Sequence, residues 1–141
     1  MSRRYQTARC VLYRERTTQQ AEYLLAMHGS MWGRRVKRWG LPGGRIEWRE
    51  DPVAAALREL REELHVDIEC AHEIGDFRYK RRWHKVVSAP WQADIRRFDK
   101  LELLELAWFT LPEVLELERG GRLHAGYERE AIEQLIESSS L

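Results

Sequence analysis

The segment from Leu41 to Val66, with the sequence LPGGRIEWREDPVAAALRELREELHV, constrains the fold more than any other part of the chain. Asp51-Pro52 marks a helix start, because aspartate accepts hydrogen bonds from free backbone N–H groups and proline supplies the φ of the first helical position. Apolar side chains then recur at helical spacing, at Val53, Leu57, Leu60 and Leu64. The sequence therefore predicts an amphipathic helix that ends near His65 and buries this stripe in the core.

Three glutamates of this helix, Glu59, Glu62 and Glu63, are related by i+3 and i+4 and are expected on a face separate from the apolar stripe. Their mutual repulsion costs only about 0.2–0.5 kcal/mol per pair in water, so an ordinary solvated helix face is one interpretation. Arg58 and Glu62 would then form a surface ion pair. The alternative is that the carboxylates converge on a ligand.

The residues before the helix favour the ligand interpretation. Gly43-Gly44 lets backbone groups approach a ligand without obstruction by a Cβ atom, and Glu50 lies beside the helix start. Carboxylate oxygens together with a backbone carbonyl are the hard ligands that Mg²⁺ and Mn²⁺ prefer. A bound divalent cation would supply the counter-charge that the glutamates lack.

The spacing of these residues resembles the signature of a known family. Gly44, Glu50 and the run from Arg58 to Val66, RELREELHV, match the Nudix box, GX5EX7REUXEEXGU with U an aliphatic residue, at every fixed position except His65. The lead-in WGLPGG at 39–44 and the later LAWF at 106–109 are also similar to family features. The chain therefore resembles a Nudix (MutT-like) hydrolase.

His65 stands where the family has a glycine, which ends the helix in the left-handed conformation. A histidine adopts that conformation at a cost of about 1 kcal/mol. We expect slightly weaker helix termination, unaltered chemistry, and a favourable contact between His65 and the helix dipole rather than a catalytic role.

The resemblance implies a fold and an activity. The fold is α/β, a Nudix-type α/β/α sandwich with a mixed β-sheet between helices, and one hydrolase domain spans residues 1–141 with its box at 44–66. The activity is Mg²⁺- or Mn²⁺-dependent hydrolysis of the pyrophosphate bond in a nucleoside diphosphate linked to another moiety, by attack of water at phosphorus. The alternative is a catalytically inactive module of the same fold that binds nucleotides or regulates, although a binder has little reason to keep three repelling carboxylates.

The resemblance also implies roles for individual residues. Glu59, Glu63 and the carbonyl of Gly43 would be metal ligands, and Glu62 a further ligand or a partner of the ligands. Support would come from Arg58, which holds the cluster by an ion pair, and from Gly44 and Glu50.

Hydrolysis also needs a group that takes a proton from the attacking water. Glu59 is one candidate for this base. Family members also recruit a glutamate outside the box, which here would be Glu102 or Glu105, but both could equally be solvated charges that flank a strand. The sequence leaves the choice open.

The rest of the chain predicts strands and one more helix. Strands are expected at 8–13 and 22–27, as a hairpin, and at 66–70, 75–87, 91–96 and 105–110, with a helix at 127–136. We expect Phe77, Tyr79 and Trp83 to face inward while the interleaved cations face water, although the same pattern could bind a nucleotide or RNA.

Substrate contacts have weaker signals. Four cations in the loop at 29–38 either grip phosphates or remain solvated, namely Arg34, Arg35, Lys37 and Arg38. Six tryptophans exceed what a core of this size usually needs, so we expect Trp32 or Trp48 to stack on a base. The substrate is a nucleotide-type small molecule whose identity stays open.

The composition limits partners and location. Lys and Arg number 24 against 23 Asp and Glu, so the overall field does not favour nucleic acid, with an RNA 5′ end as the one exception. No apolar run is long enough to span a membrane and no signal peptide is evident, so a cytoplasmic protein is expected. A homodimer is compatible with the family. Cys10 and Cys70 are expected to be small buried side chains.

Overall fold

The computed structural model describes residues 4–15, 20–28, 38–91 and 103–139. Within these ranges the strands are β1 (Tyr5–Glu15), β2 (Ala21–His28), β3 (Trp39–Gly40), β4 (Gly43–Arg45), β5 (His72–Tyr79), β6 (Arg82–Pro90) and β7 (Leu103–Phe109). The helices are α1 (Pro52–Leu64), α2 (Leu111–Arg119) and α3 (Glu128–Ser139).

The described strands form one mixed sheet, as predicted. Its main order is β3-β2-β1-β6-β5, with β4 paired to β1 and β7 paired to β2. β1 and β6 are parallel, whereas the other pairs are antiparallel. The predicted hairpin of β1 and β2 is confirmed, with Tyr13 opposite Tyr23.

Side chains of the sheet alternate between two cores, because successive residues of a strand point to opposite faces. Ala8 and Cys10 of β1 pack with Leu60 and Leu64 of α1, on what we call the α1 face. Val11 belongs to the cluster on the other side, the α2/α3 face, which includes Val114, Ala131 and Ile132. The molecule is therefore an α/β/α sandwich.

Helix α1 begins where the sequence predicts it. The side chain of Asp51 accepts a hydrogen bond from the N–H of Ala54 at 3.0 Å, and the helix ends at His65, whose φ of 56° and ψ of 38° are left-handed. Leu60 and Leu64 of the predicted stripe are buried, and Val53 packs at the edge of the core. Leu57 is only half-buried, because Ala55 and Ala56 occupy the positions that face the sheet most directly.

Two of the predicted strands are wrong. Residues 66–70 form no strand, although Val66 and Ile68 pack against the core as part of the connection after α1. The segment 75–87 is two strands rather than one, joined at Lys80 and Arg81. Both residues have positive φ, 49° and 65°, which is the conformation of a tight two-residue hairpin turn. The predicted strand 91–96 lies outside the described residues beyond Trp91, which is not in a strand.

The sequence analysis missed α2, although its start has a recognisable signal. Thr110 accepts a hydrogen bond from the N–H of Glu113, and the Glu113 side chain accepts one from the N–H of Thr110. This reciprocal arrangement is a capping box, and a proline follows at the second helical position. The predicted helix at 127–136 is confirmed as α3.

The expected inward orientation of three aromatic residues holds for two of them. Phe77 is opposite His84 and faces the α2/α3 side, where Tyr79 also packs. Trp83 is opposite Arg78 and therefore lies on the other face, with the guanidinium of Arg78 5.3 Å from its ring. The two-residue turn sets this register, and the sequence analysis did not recognise the turn.

The two cysteines differ in exposure. Cys10 is buried as expected, whereas Cys70 is exposed, so the prediction for Cys70 was wrong. Cys70 lies in the irregular connection that had been expected to be a strand. None of the helices within the described ranges combines the length and the apolar character needed to cross a membrane.

Candidate active site

Gly44 lies against the carboxylate of Glu59. It pairs with Ala8 across β4 and β1, on the α1 face of the sheet. A Cβ atom added at Gly44 would lie 2.5 Å from the Cδ atom of Glu59 and 2.6 and 2.8 Å from its two oxygens. Such distances are shorter than any ordinary contact, so the glycine leaves the space that the carboxylate occupies.

Glu63 lies one helical turn further along α1 and approaches the same strand. Its Oε2 atom accepts a hydrogen bond from the N–H of Gly43 at 3.4 Å. Glu59 and Glu63 are 9% and 3% exposed, so both are buried against β4 rather than on a solvated helix face. Buried carboxylates cost free energy unless charges or hydrogen bonds compensate them. The two glutamates are therefore the strongest candidates for contacts to a ligand.

Arg58 bonds to three of the acidic residues. Its guanidinium donates hydrogen bonds to both oxygens of Glu50 at 2.7 and 2.9 Å, and to Glu59 and Glu62 at 3.1 Å each. It also donates to the carbonyl of Arg45 at 2.9 Å, which ties α1 to β4. The hydrogen bond from Arg58 lowers the pKa of Glu50, and the bond to Glu50 in turn raises the pKa of Arg58.

The donor set agrees in kind with a divalent cation. Three carboxylates bond to the guanidinium of Arg58, and a fourth, that of Glu63, accepts from the N–H of Gly43. Carboxylate and backbone oxygens are the ligands that Mg²⁺ and Mn²⁺ take. Among the residues that the structure describes, however, no three acidic, histidine or cysteine side chains already converge as a metal cluster. Glu62 is the outlying member, because its side chain is 59% exposed where it pairs with Arg58.

Gly43, the predicted backbone ligand, lies in a position that only a glycine can occupy. Its φ is +142°, and a Cβ atom there would lie 2.3 Å from the carbonyl oxygen of Ala8 and 2.7 Å from the Cα atom of Arg9. Its carbonyl accepts a hydrogen bond from Nη1 of Arg9 at 3.0 Å. A carbonyl oxygen has two lone pairs, so this bond leaves one for a cation.

The structure does not bring Glu105 to the box. Glu105 is exposed on β7 opposite Met27, whose side chain packs in the cluster on the α2/α3 face. Partners across a ladder point to the same side of the sheet, so Glu105 faces away from α1. Glu102, the other candidate outside the box, lies outside the described residues.

Trp48, one of the predicted substrate contacts, is exposed at the surface. Its side chain is 82% exposed, and the guanidinium of Arg49 lies 4.4 Å from its ring centroid. An open depression beside it is bounded by Tyr5 and Glu50. Arg38 is exposed. Trp32, Arg34, Arg35 and Lys37 lie outside the described residues.

A second concave region, which sequence reasoning missed, lies on the α2/α3 face. We call it the Arg9 cleft; its volume is about 190 Å³, and its lining includes Thr7, Arg9, Lys80, His84, His124 and Tyr127. These residues come from three separate parts of the chain, so no local pattern marks them. The only signal was the mixture of aromatic and cationic residues from Phe77 to Lys85.

The histidines of the Arg9 cleft are held in their neutral form. Burial lowers the pKa of His84, whose Nδ1 atom lies 2.6 Å from the hydroxyl of Thr7. Burial, followed by the charges of Arg9 and Lys80, lowers the pKa of His124 to about 4. At neutral pH the cleft therefore presents uncharged imidazoles beside a guanidinium.

The chain is similar to known proteins over most of its length. The family model described as NUDIX domain matches residues 3–129. The NUDIX domain of Shewanella oneidensis NrtR, solved in complex with ADP ribose, superposes with a TM-score of 0.74 at 23% identity, covering 98% of this chain and 90% of that one. A mutT/nudix family protein from Listeria innocua gives a TM-score of 0.75 at 20% identity, with 99% and 96% coverage.

One curated relative matches over a shorter stretch. It is a nucleoside triphosphate pyrophosphatase/Nudix hydrolase fusion protein of Bifidobacterium longum, 32% identical over 56 residues. That stretch is 40% of this chain and 12% of the relative's length. The structural matches establish the fold, and the family model covers both the box and the sheet that positions it. The chain therefore belongs to the Nudix hydrolase family, whose members act on nucleoside diphosphate derivatives.

Proposed function

We propose that this protein hydrolyses the pyrophosphate bond of a nucleoside diphosphate linked to another moiety, with Mg²⁺ or Mn²⁺ as cofactor. The observation that carries the proposal is the burial of Glu59 and Glu63 against Gly43-Gly44. Arg58 bonds to Glu59 and Glu62 of this cluster, and a divalent cation with its phosphate ligands suits the remaining carboxylate and backbone oxygens.

The residues of the box divide into ligands and supports in this proposal. Glu59, Glu63 and the carbonyl of Gly43 hold the cation, and Glu62 reaches it as an additional ligand or stays with Arg58 as a support. When bound, the cation neutralises the diphosphate and lowers the pKa of a bound water. Glu50 acts only through Arg58, which it fixes with two hydrogen bonds.

For the general base we favour Glu59 over Glu105. Proton transfer needs a heavy-atom separation of about 2.6–3.2 Å, directly or through one water, from the group that loses the proton. Glu59 lies against Gly44 of β4, whereas Glu105 faces the opposite side of the sheet. Glu59 is therefore favoured over Glu105, and Glu102 stays a candidate outside the described residues.

The nucleoside or the other moiety has two candidate places. Trp48 and Arg49 offer an exposed ring under a guanidinium, which suits stacking of a base above a phosphate. The Arg9 cleft offers aromatic and imidazole groups on the other face. ADP ribose, bound in the Shewanella oneidensis NUDIX domain, belongs to the proposed substrate class.

A substrate panel tests the proposal. The protein is incubated with Mg²⁺ and ADP ribose, nucleotide sugars, dinucleoside polyphosphates, oxidised nucleoside triphosphates or capped RNA, and phosphate-containing products are measured. We expect at least one substrate to be cleaved between its phosphates, and EDTA to abolish cleavage. The competing function, a nucleotide-binding module, predicts binding of the same compounds without products.

A further inference from the structure

Arg9 of β1 lies between Gly43 of β4 and the cleft on the α2/α3 face. Its Nη1 atom donates hydrogen bonds to the carbonyls of Gly43 at 3.0 Å and Leu41 at 3.3 Å. A Cβ atom at Gly43 would lie 3.0 Å from the Cδ atom of Arg9, so the glycine also leaves room for this side chain. The guanidinium is therefore anchored before any ligand arrives.

An anchored guanidinium is suited to bind an oxyanion. Its fork of N–H donors matches phosphate and carboxylate oxygens, and its prior immobilisation removes part of the entropy cost of binding. Arg9 is half-buried, in an environment where charge interactions are stronger than in open water. The Arg9 side chain thus donates to the carbonyls of Leu41 and Gly43 and also lines the cleft.

The surroundings of Arg9 are electropositive. Among the described residues that line the cleft none is acidic, and Lys80 stands at its rim. After burial, the causes that lower the pKa of His124 are Arg9, Lys80, Arg38 and His84. The acidic neighbour is Glu128, which is 1% exposed and accepts hydrogen bonds from the N–H groups of Ala125 and Gly126. Glu128 is therefore held at the start of α3, although the charge of Arg9 also acts on its carboxylate and lowers its pKa against the effect of burial.

We propose that the Arg9 cleft is an anion-binding subsite, with Arg9 as its principal contact to a phosphate oxygen. Identification of this phosphate as part of the substrate rests on the proposed function, whereas the binding itself does not. Because Arg9 donates to the carbonyl of Gly43, an anion on Arg9 lies beside the turn proposed to hold the cation. The diphosphate would then contact Arg9 on the α2/α3 face and the proposed cation on the α1 face.

The test measures binding of inorganic pyrophosphate to the whole chain in EDTA, so that no divalent cation contributes. Calorimetry gives the affinity, and the imidazole NMR signals of His84 and His124 report where the anion binds. We expect binding to wild type that shifts both histidines, and a loss of about tenfold or more in affinity for Arg9→Met. Arg9→Lys keeps the charge without the fork and should give an intermediate affinity.

Arg14→Met is the matched control, because Arg14 lies on the same strand but pairs with Glu22 at 3.0 Å, far along β1 from the glycine turn. It should bind pyrophosphate like wild type. Lys80→Asn provides a second variant if Arg9→Met does not fold, because Lys80 is exposed at the hairpin turn and asparagine tolerates its left-handed φ. We expect it to weaken binding severalfold.

Three results would overturn the inference: no binding to wild type, binding that shifts neither histidine, or equal affinity for wild type and a folded Arg9 variant. If Arg9→Met is unfolded, unchanged affinity of Lys80→Asn has the same consequence. Failure of the proposed hydrolysis is a separate result. It appears as an inactive substrate panel with Mg²⁺, which the metal-free titration does not involve.

Discussion

Gly43 and Gly44 are adjacent in one strand, yet they leave space for side chains of opposite charge on opposite faces of the sheet. Gly44 accommodates the carboxylate of Glu59 on the α1 face, and Gly43 accommodates the side chain of Arg9 on the α2/α3 face. Because successive residues of a strand point in opposite directions, two neighbouring glycines can serve two sites. The glycine pair therefore adjoins both the candidate active site and the Arg9 cleft.

The two regions also compensate their charge differently. On the α1 face an excess of carboxylates is held by Arg58, which bonds to three of them. On the α2/α3 face the excess of positive charge is limited by histidines that give up their protons, as the lowered pKa of His124 indicates. Ion pairing and proton loss both reduce the repulsion between like charges that lie close together. Each suits the ligand proposed for that face, a cation on the α1 face and an anion on the α2/α3 face.

The largest expected effect concerns catalysis on the α1 face. Glu63→Gln removes one charge but keeps the size of the side chain and an oxygen that can accept from the N–H of Gly43. We expect turnover to fall by about a hundredfold or more if Glu63 holds the cation, while the melting temperature changes little. Steady-state kinetics on the best panel substrate and a thermal melt measure the two quantities.

The matched control for this prediction is Glu62→Gln, because Glu62 is exposed and its side chain is already turned to Arg58. Its turnover should fall less than that of Glu63→Gln. Near-normal activity of Glu63→Gln would refute the assignment of the site to the α1 face.

The next effect separates the two glycines. Gly43→Ala places a Cβ atom against backbone atoms of Ala8 and Arg9 at a φ of +142°, so the sheet itself must shift. We expect a loss of about 2–4 kcal/mol in the free energy of unfolding. In Gly44→Ala the three atoms nearest to the Cβ atom all belong to the carboxylate of Glu59, the far end of a flexible side chain, which we expect to move. Urea denaturation should show a loss of about 1 kcal/mol or less for Gly44→Ala, with a larger relative loss in activity.

Equal destabilisation by both substitutions would contradict this contrast. It would mean that Glu59 cannot move and that the carboxylate is as fixed as the backbone. A Gly44→Ala variant with full activity would instead show that the position of Glu59 does not matter for the reaction.

The α1 face was largely predictable from sequence because its signals are local. The cap at Asp51, the helix, the ion pairs of Arg58 and the left-handed His65 all lie within one short segment. The burial of Glu59 and Glu63 was not predictable from the helix alone. It arises because β4 brings a glycine without a side chain over that part of α1, which is a tertiary arrangement.

The α2/α3 face was hardly predictable. The Arg9 cleft joins residues from β1, the hairpin at Lys80 and the segment around His124, which lie far apart in the chain. The hairpin turn has no Gly or Asn to indicate it, since Lys80 and Arg81 adopt positive φ instead. Helix α2 did have a capping signal at Thr110, so its omission was an error of interpretation rather than a limit of the sequence.

A smaller effect tests the charge state of the α2/α3 face. The folded pKa of His124 is about 4, below its ordinary value, so the folded protein resists protonation that the unfolded chain accepts. This contribution to stability is present above about pH 6.5 and is lost as the pH falls towards 4. As the pH falls from about 6.5 to 4, the free energy of unfolding of wild type should therefore decrease relative to that of His124→Asn by about 1–3 kcal/mol.

Urea denaturation at several pH values between 4 and 7 measures that difference. The comparison between wild type and the variant removes most of the contribution of Glu128, whose pKa is also shifted by burial. The contribution of His84 is removed only in part, because the charges of His84 and His124 act on each other. A difference that does not change with pH would show that His124 titrates in the ordinary range. The cleft would then carry more positive charge than we infer.

The smallest effect isolates backbone strain from the two charged regions. His65 has a left-handed φ of 56° at the end of α1, and it is exposed, so His65→Gly relieves strain without placing an atom near Glu59 or Arg9. We expect the free energy of unfolding to rise by about 0.5–1 kcal/mol, with unchanged activity. That gain measures the cost of the left-handed φ at His65, which side chains adopt more readily than the φ of +142° at Gly43. It is therefore a lower limit for the part of the Gly43→Ala loss that comes from φ. If His65→Gly is less stable than wild type, the histidine must make a compensating contact, for which the dipole of α1 is the nearest physical candidate. In that case the left-handed φ of His65 costs little, whereas Gly43 stays constrained both by its φ of +142° and by the collision of a Cβ atom with Ala8 and Arg9.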